Sequence, residues 1–247
     1  MLLGNGWYNH QSMAVWDFHR APWRNRPAFC MDVRITYEDG SVEVVSTERD
    51  WKTSSGALIF NSIYTAEQYD ARLEQKGWNT VNFDDSKWNG VGYRAVPSQN
   101  VVSQQVQPIR AVEMIPVKTW KKLNDTTYVF DFARNMAGVT RIKVSGEEGT
   151  VVRLKHGERL YDNGRVNTSN IDVYHRPVDN SDPFQTDILV LSGKGEDEFM
   201  ARFNYKGFRY VEVTSTNPLV LNENSLTAYF VHSDVPQKGT IHTSNAL

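Results

Sequence analysis

Cysteine is almost missing from this sequence: Cys30 stands alone among 247 residues. That excludes an internal disulfide framework and a cysteine-rich zinc site. The six histidines supply no substitute, because none shows metal-ligand spacing such as His-Glu-x-x-His. Cys30 lies in the strand-like run Ala28 to Tyr37 and is expected to be a buried, inert thiol. Long apolar runs are also lacking, and none approaches the roughly 20 residues that a transmembrane helix needs. The opening residues Met1 to Trp7 carry neither the basic region nor the apolar core of a signal peptide. The chain as written therefore shows no export address, and its compartment stays open. Charge of one sign is not in excess either. With 27 Lys and Arg against 29 Asp and Glu, the net charge is -2, which argues against a nucleic-acid partner. No Gly-x-Ser-x-Gly elbow presents a serine nucleophile. No loop cradles a phosphate: Lys194-Gly195 reads as a turn, and Leu3-Gly4-Asn5-Gly6 lacks a following helix. These absences leave a globular protein for which no metal and no cofactor is expected.

Alternating strands are what the sequence does contain. Phe29, Met31, Val33, Ile35 and Tyr37 alternate with mostly polar residues, the period of a strand with one buried face. Asp39-Gly40 follows, a dipeptide suited to a type I′ turn, and Val42 and Val44 carry the pattern back. Ala57 to Tyr64 reads as another strand, and Ala66 to Lys76 as one or two helical turns stopped at Gly77. In Phe83-Asp84-Asp85-Ser86-Lys87-Trp88 the Asp and Ser side chains are placed to fold a tight turn. Beyond a polar crossing segment from Val96 to Gln107, seven runs qualify as strands: 127–132, 139–144, 151–156, 187–191, 199–203, 208–214 and 226–231. Gly146 to Gly149 and Ser192 to Gly195 punctuate them as hairpin loops, a spacing that suggests a sandwich. The expected fold class is all-β with antiparallel sheets, divided near Pro116 into domains 1–115 and 116–247.

Candidate chemistry is sparse. Hydrolysis of sugars uses two carboxylates, and Asp131 and Glu158 are the pair to consider. The plainer reading carries more weight: each ties down a loop or pairs with Arg134 or Arg159, since ion-pair networks mimic active sites. Asp84 and Asp85 read as turn formers. Aromatic side chains make up 12% of the chain, with seven Trp and eleven Tyr. They can stack on sugar rings or fill a core, and counting does not separate the two. Trp16 and Trp23 flank a Pro- and Arg-rich stretch without β alternation, which makes them the better exposed candidates. Trp78 joins them as a third stacking candidate.

Several strings taken in order resemble a known family. Leu3-Gly4-Asn5-Gly6-Trp7-Tyr8, Trp51-Lys52, the run from Ile63 to Arg72, and Gly77-Trp78 resemble the N-terminal β-sandwich of bacterial α-L-rhamnosidases. Asp131-Phe132-Ala133-Arg134-Asn135-Met136-Ala137-Gly138 resembles that family's D-F-G-Q-N-M-A-G string in the next β domain. His156-Gly157-Glu158-Arg159-Leu160 is similar to its H-x-E-x-L, and Tyr205 to Glu212 to its Y-x-G-F-R-Y-V-E. Ala66 and Ala133-Arg134 depart from the pattern, and the second change removes a glycine that could hold positive φ. The resemblance implies a jelly-roll sandwich followed by a concanavalin-like sandwich. It also implies an inverting glycosidase for terminal α-L-rhamnose, with its carboxylates in a C-terminal (α/α)6 barrel.

On that resemblance the chain reads as truncated at both ends, and no catalytic residue of the family transfers to it. Glu67, Asp70 and Arg72 transfer only as motif positions of a non-catalytic module. They could contact carbohydrate, although a turn and ion-pair scaffold is the favoured reading. The implied partners are the (α/α)6 catalytic domain and a rhamnose-containing glycan. The alternative function is a free-standing carbohydrate-binding module without hydrolase activity. A third reading is an interaction protein whose unpaired sheet edges await a partner chain.

Overall fold

The computed structural model describes residues 1–8, 22, 25–63, 65–95, 100, 102–172 and 184–244. The chain is all-β, and its second half forms a concanavalin-like β-sandwich. The first hairpin joins β1 (Asp32–Thr36) to β2 (Val42–Ser46). Its turn differs from the expected two-residue type. Tyr37 pairs with Ser41, Gly40 donates to the Tyr37 carbonyl, and Gly40 alone has positive φ, at 82°. This is a three-residue loop closed by a left-handed glycine, with the Asp39 carboxylate accepting the Ser41 N–H at 2.9 Å. Both faces of the hairpin lie open, whereas the alternation predicts one buried face. The period reports which residues could be covered; no other described strand pairs with β1 or β2 to do the covering. Cys30, at the foot of this hairpin, is exposed for the same reason and is not the buried thiol its strand-like surroundings predict.

Short strands follow: β3 (Lys52–Thr53), β4 (Leu58–Asn61) and β5 (Glu67–Asp70). The segment expected to be helical from Ala66 is mostly extended. Only Ala71–Leu73 turns, as a single 3-10 turn capped by Asp70, and Gly77 stands beyond it at φ 81°. After β6 (Asn89–Gly90), which pairs with β3, come β7 (Ile109–Pro116) and β8 (Thr119–Asn124). Then follow β9 (Thr127–Ser145), β10 (Val151–Gly157), β11 (Arg159–Leu160) and β12 (Val166–Asn167). The last four are β13 (Thr186–Val190), β14 (Glu196–Met200), β15 (Lys206–Ser215) and β16 (Leu226–Ser233).

Ten of these strands share one sheet, in the order β4-β5-β13-β10-β15-β9-β16-β7, with β8 and β14 also paired to β9. Among the described residues every pairing is antiparallel except β5 with β13, which is parallel. The register alternates as the sequence pattern requires: Val152, Leu154 and His156 of β10 point inward while Arg153 points out. Phe130, Ile142, Leu154, Leu189, Phe208 and Leu226 form the centre of the core, each at most 1% exposed. Burying a side chain of this size contributes about 1.5–3 kcal/mol. The two strands expected at 127–132 and 139–144 are one. Met136, Ala137 and Gly138 stay paired with Phe208, Gly207 and Lys206, so the ladder runs on through an irregularity opposite Arg209.

Candidate functional site

The motif strings converge on two places, one buried and one exposed. The buried place is a seam between β5, β10, β13 and the start of β15. Lys206 and Asp187 are 3% and 1% exposed at the side chain, with Nζ 2.7 Å from Oδ1. The same ammonium donates to Asn204 Oδ1 at 2.6 Å, and Asp187 Oδ1 also accepts the backbone N–H of Glu67 at 2.9 Å. Glu67 returns the tie: its Oε1 accepts the N–H of Arg202 at 2.7 Å and that of Phe203. Burial pushes the Glu67 carboxyl up from its ordinary range, against the pull of those two N–H groups.

His156, fully buried, completes the seam. Its Nδ1 lies 3.2 Å from the Gln185 carbonyl, which can only accept, so Nδ1 carries the proton. Nε2 is then the acceptor for the Thr140 hydroxyl at 2.9 Å. Gln185 holds its carbonyl there from left-handed backbone at φ 51°. The N-terminal string is drawn in as well. Asn5 and Asn61 exchange three hydrogen bonds of 2.7–3.0 Å. Gly4 lies so close to the Phe203 ring that a Cβ would sit 2.4 Å from it.

The exposed place is the irregularity in β9. Ala133, Arg134 and Asn135 stand out in a strand that is otherwise mostly buried. Arg134 reaches sideways to Glu113 of β7 at 2.7 Å, with its guanidinium 4.7 Å over the Phe230 ring. Asn135 donates to Glu158 Oε1 at 2.9 Å. Asp131 receives both Arg209 Nε and a terminal nitrogen at 2.8 Å, and Arg209 lies 4.8 Å over the Tyr210 ring. Those hydrogen bonds from Arg209 hold the Asp131 carboxyl below its ordinary range. The two carboxylates singled out from sequence, Asp131 and Glu158, are thus bonded to Arg209 and Asn135 instead of Arg134 and Arg159.

Ala133 has φ 56°, the left-handed region that the family string fills with glycine. Its N–H bonds the Asp131 carboxylate at 2.6 Å, which helps fix the turn despite the Cβ. Ala133→Gly is therefore expected to stabilise the chain by about 1 kcal/mol, raising the urea midpoint at unchanged m-value. A lower midpoint would count against strain at this residue.

The remaining expected positions are scattered. Trp16 and Trp23 lie outside the described residues. Trp78 is half-buried, its N–H on the Gln75 carbonyl. Asp70 binds Arg72 through both oxygens at 2.9 and 2.6 Å and caps the 3-10 turn. Asp84 accepts the Ser86 N–H at 2.9 Å, and Asp85 pairs with Lys52 at 2.7 Å. Sequence reasoning missed Lys206, Asp187 and Asn204. A usable signal existed: a charged residue inside an apolar strand run, as Asp187 is, must find a buried partner. Among the described residues, no three His, Cys, Asp or Glu side chains group to hold a metal, and no helix is long and apolar enough to cross a membrane.

Comparison with known proteins agrees with the motif strings. Residues 1–113 match the sequence model of the alpha-L-rhamnosidase N-terminal domain, and residues 121–232 that of the bacterial alpha-L-rhamnosidase concanavalin-like domain. An alpha-L-rhamnosidase of Streptomyces avermitilis is 34% identical over 233 residues, covering 94% of this chain and 21% of that protein. The structure of alpha-L-rhamnosidase from Dictyoglumus thermophilum superposes with a TM-score of 0.78 at 34% identity, over 90% of this chain and 24% of that one. The S. avermitilis enzyme complexed with L-rhamnose gives 0.77 at 32% identity, over 94% and 21%. The chain thus spans about a fifth to a quarter of the length of these relatives. Through its two β domains, the chain belongs to the bacterial alpha-L-rhamnosidases.

Proposed function

We propose that this chain is the non-catalytic β-sandwich portion of an α-L-rhamnosidase, organised as domains 1–115 and 116–247. It supports an (α/α)6 catalytic domain and contacts the rhamnosylated glycan presented to that domain. The observation that carries this reading is one of proportion. Two β-domain matches account for residues 1–113 and 121–232, while the chain spans only 21% of the S. avermitilis relative. The state of the acidic groups supports it. Asp70, Asp131, Asp187 and Glu212 are each bonded to a cation, as a scaffold requires. Glu212, for example, takes Arg165 at 2.7 and 2.6 Å and the Val166 N–H at 3.0 Å, which pins the 161–166 turn to β15.

The purified chain is expected to release no rhamnose from an aryl rhamnoside. Release that follows the chain through every purification step, after host glycosidases are removed, overturns the reading.

A further inference from the structure

The ten-stranded sheet ends on one side at β7, whose outer edge meets no described strand. Such an edge offers a row of unpaired N–H and C=O groups to any second strand of matching register. Proteins blunt these edges with short strands, lysines, prolines or bulges. At the opposite end of the sheet β4 has four residues, and β8 carries Lys121 and Lys122. β7 runs for eight residues without a lysine, and its one proline, Pro116, only ends it. Ile109, Val112 and Met114 lie exposed along it.

β7 does carry a bulge, and the bulge makes this edge complementary to itself. Against β16 the register slips at Val112: Glu113 lies opposite Phe230, but Ala111 lies opposite Val231 and Arg110 opposite His232. On a regular strand Arg110 and Glu113, three apart, would point to opposite faces. With Val112 inserted, both stand on the face of Phe230 and His232. Ile109, Ala111 and Met114 share the other face with Ser233, Val231 and Tyr229.

We propose that β7 pairs antiparallel with β7 of a second copy of this chain, about a two-fold axis at the Ala111–Val112 step. In that register Arg110 of each copy faces Glu113 of the other, and Ile109 faces Met114. Opposite charges meet on one face of the joined sheet and apolar side chains on the other. The charges also extend inward: Asp234 holds Arg110 at 3.3 Å and Arg134 holds Glu113 at 2.7 Å, so signs alternate through the row. The backbone fits the same register. Asp234 donates to the Pro108 carbonyl at 2.9 Å, which turns the polar backbone groups of residue 108 toward β16. Alternation turns those of Arg110 the same way, and those of Glu113 too, because their partners His232 and Phe230 are two apart. Ile109 and Met114 then direct their N–H and C=O groups to the open edge, where they can exchange bonds across the axis. Arg110 and Glu113 fall in the pairs between those bonds, where facing side chains come closest.

Sedimentation equilibrium of the full chain tests the pairing, from micromolar to near-millimolar concentration. A mass rising toward that of two chains is expected. Glu113→Arg and Arg110→Glu each set like charges face to face on both sides of the axis, and each is expected to weaken the dimer at least about tenfold. Both positions are exposed, so the melting temperature of each variant should hardly move. Mixed in equal amounts, the two variants again bring opposite charges together at every facing pair, and the dimer should return. The mass of one chain at every concentration overturns the proposal. So does a dimer that neither variant weakens, which places the contact elsewhere. A mixture that stays monomeric overturns this register and the proposal with it.

Discussion

Asp187→Ala is expected to lower the stability of the chain by about 3–5 kcal/mol. The substitution removes the carboxylate bonded to Lys206, whose side chain is 3% exposed. An ammonium without its bonded counter-charge at that depth must be solvated by rearrangement or must lose its proton, and either costs several kcal/mol. The loss spreads further, because Asp187 Oδ1 also accepts the Glu67 N–H. That bond fastens β5 to β13, the parallel pairing that attaches β4 and β5 to the rest of the ten-stranded sheet. Urea unfolding followed by tryptophan fluorescence measures the effect.

The double variant Asp187→Leu with Lys206→Met separates charge from packing. It removes both ions and keeps the volume, so it is expected to recover most of the loss. A double variant as damaged as Asp187→Ala would show that the hydrogen bonds to Asn204 and Glu67 carry the seam, and not the ion pair. Glu67 offers the same separation from the other side. Glu67→Gln keeps an oxygen for the Arg202 and Phe203 N–H groups, whereas Glu67→Ala abandons both in a buried site. Exposed pairs such as Lys122–Asp125 and Lys143–Glu198 carry no comparable penalty.

These contrasts show what the sequence discloses and what it does not. Alternation and turn signals located β2, β10 and β16 to within two residues and β1 to within three, because those signals are local. They did not disclose whether a face is covered: Val33, Ile35 and Val44 alternate as a core face would, yet are 39%, 38% and 54% exposed. Covering depends on strands elsewhere in the chain. The seam was illegible for the same reason. Glu67 meets Asp187 across 120 positions, through a parallel pairing that no turn signal announces. At Ala133 the departure from glycine raised the question of turn geometry, and the backbone retained its left-handed turn around the new side chain. The carboxylates Asp131 and Glu158 were picked out as residues, but their partners were not. Arg209 lies 78 positions from Asp131, and only the bulge opposite it brings the two together.

Acid is expected to weaken the fold chiefly through His156. Its imidazole is fully buried, and burial, with the nearby Lys206 ammonium, depresses its pKa from 6.5 to about 4. Asp187 and the carbonyls of Gln185 and Leu154 oppose that shift without reversing it. The unfolded chain therefore takes up a proton near pH 6.5 that the folded chain refuses until about pH 4. Between those limits the unfolded state binds more protons, so stability falls as the pH falls. At about 1.4 kcal/mol per pH unit, the interval is worth about 3 kcal/mol. Glu67 works in the opposite sense. Its carboxyl is raised by burial, so its contribution is full below the ordinary carboxylate pKa and is lost as the pH rises from there through the raised one. Unfolding free energies measured from pH 7 down to pH 4 should show this slope, and His156→Gln should flatten it. Gln keeps a donor for the Gln185 carbonyl and an acceptor for Thr140 but has no proton to gain. Parallel profiles for the two proteins would remove His156 as the cause. In the folded chain its imidazole C–H resonances should stay at their neutral position down to pH 5, while the unfolded chain titrates normally.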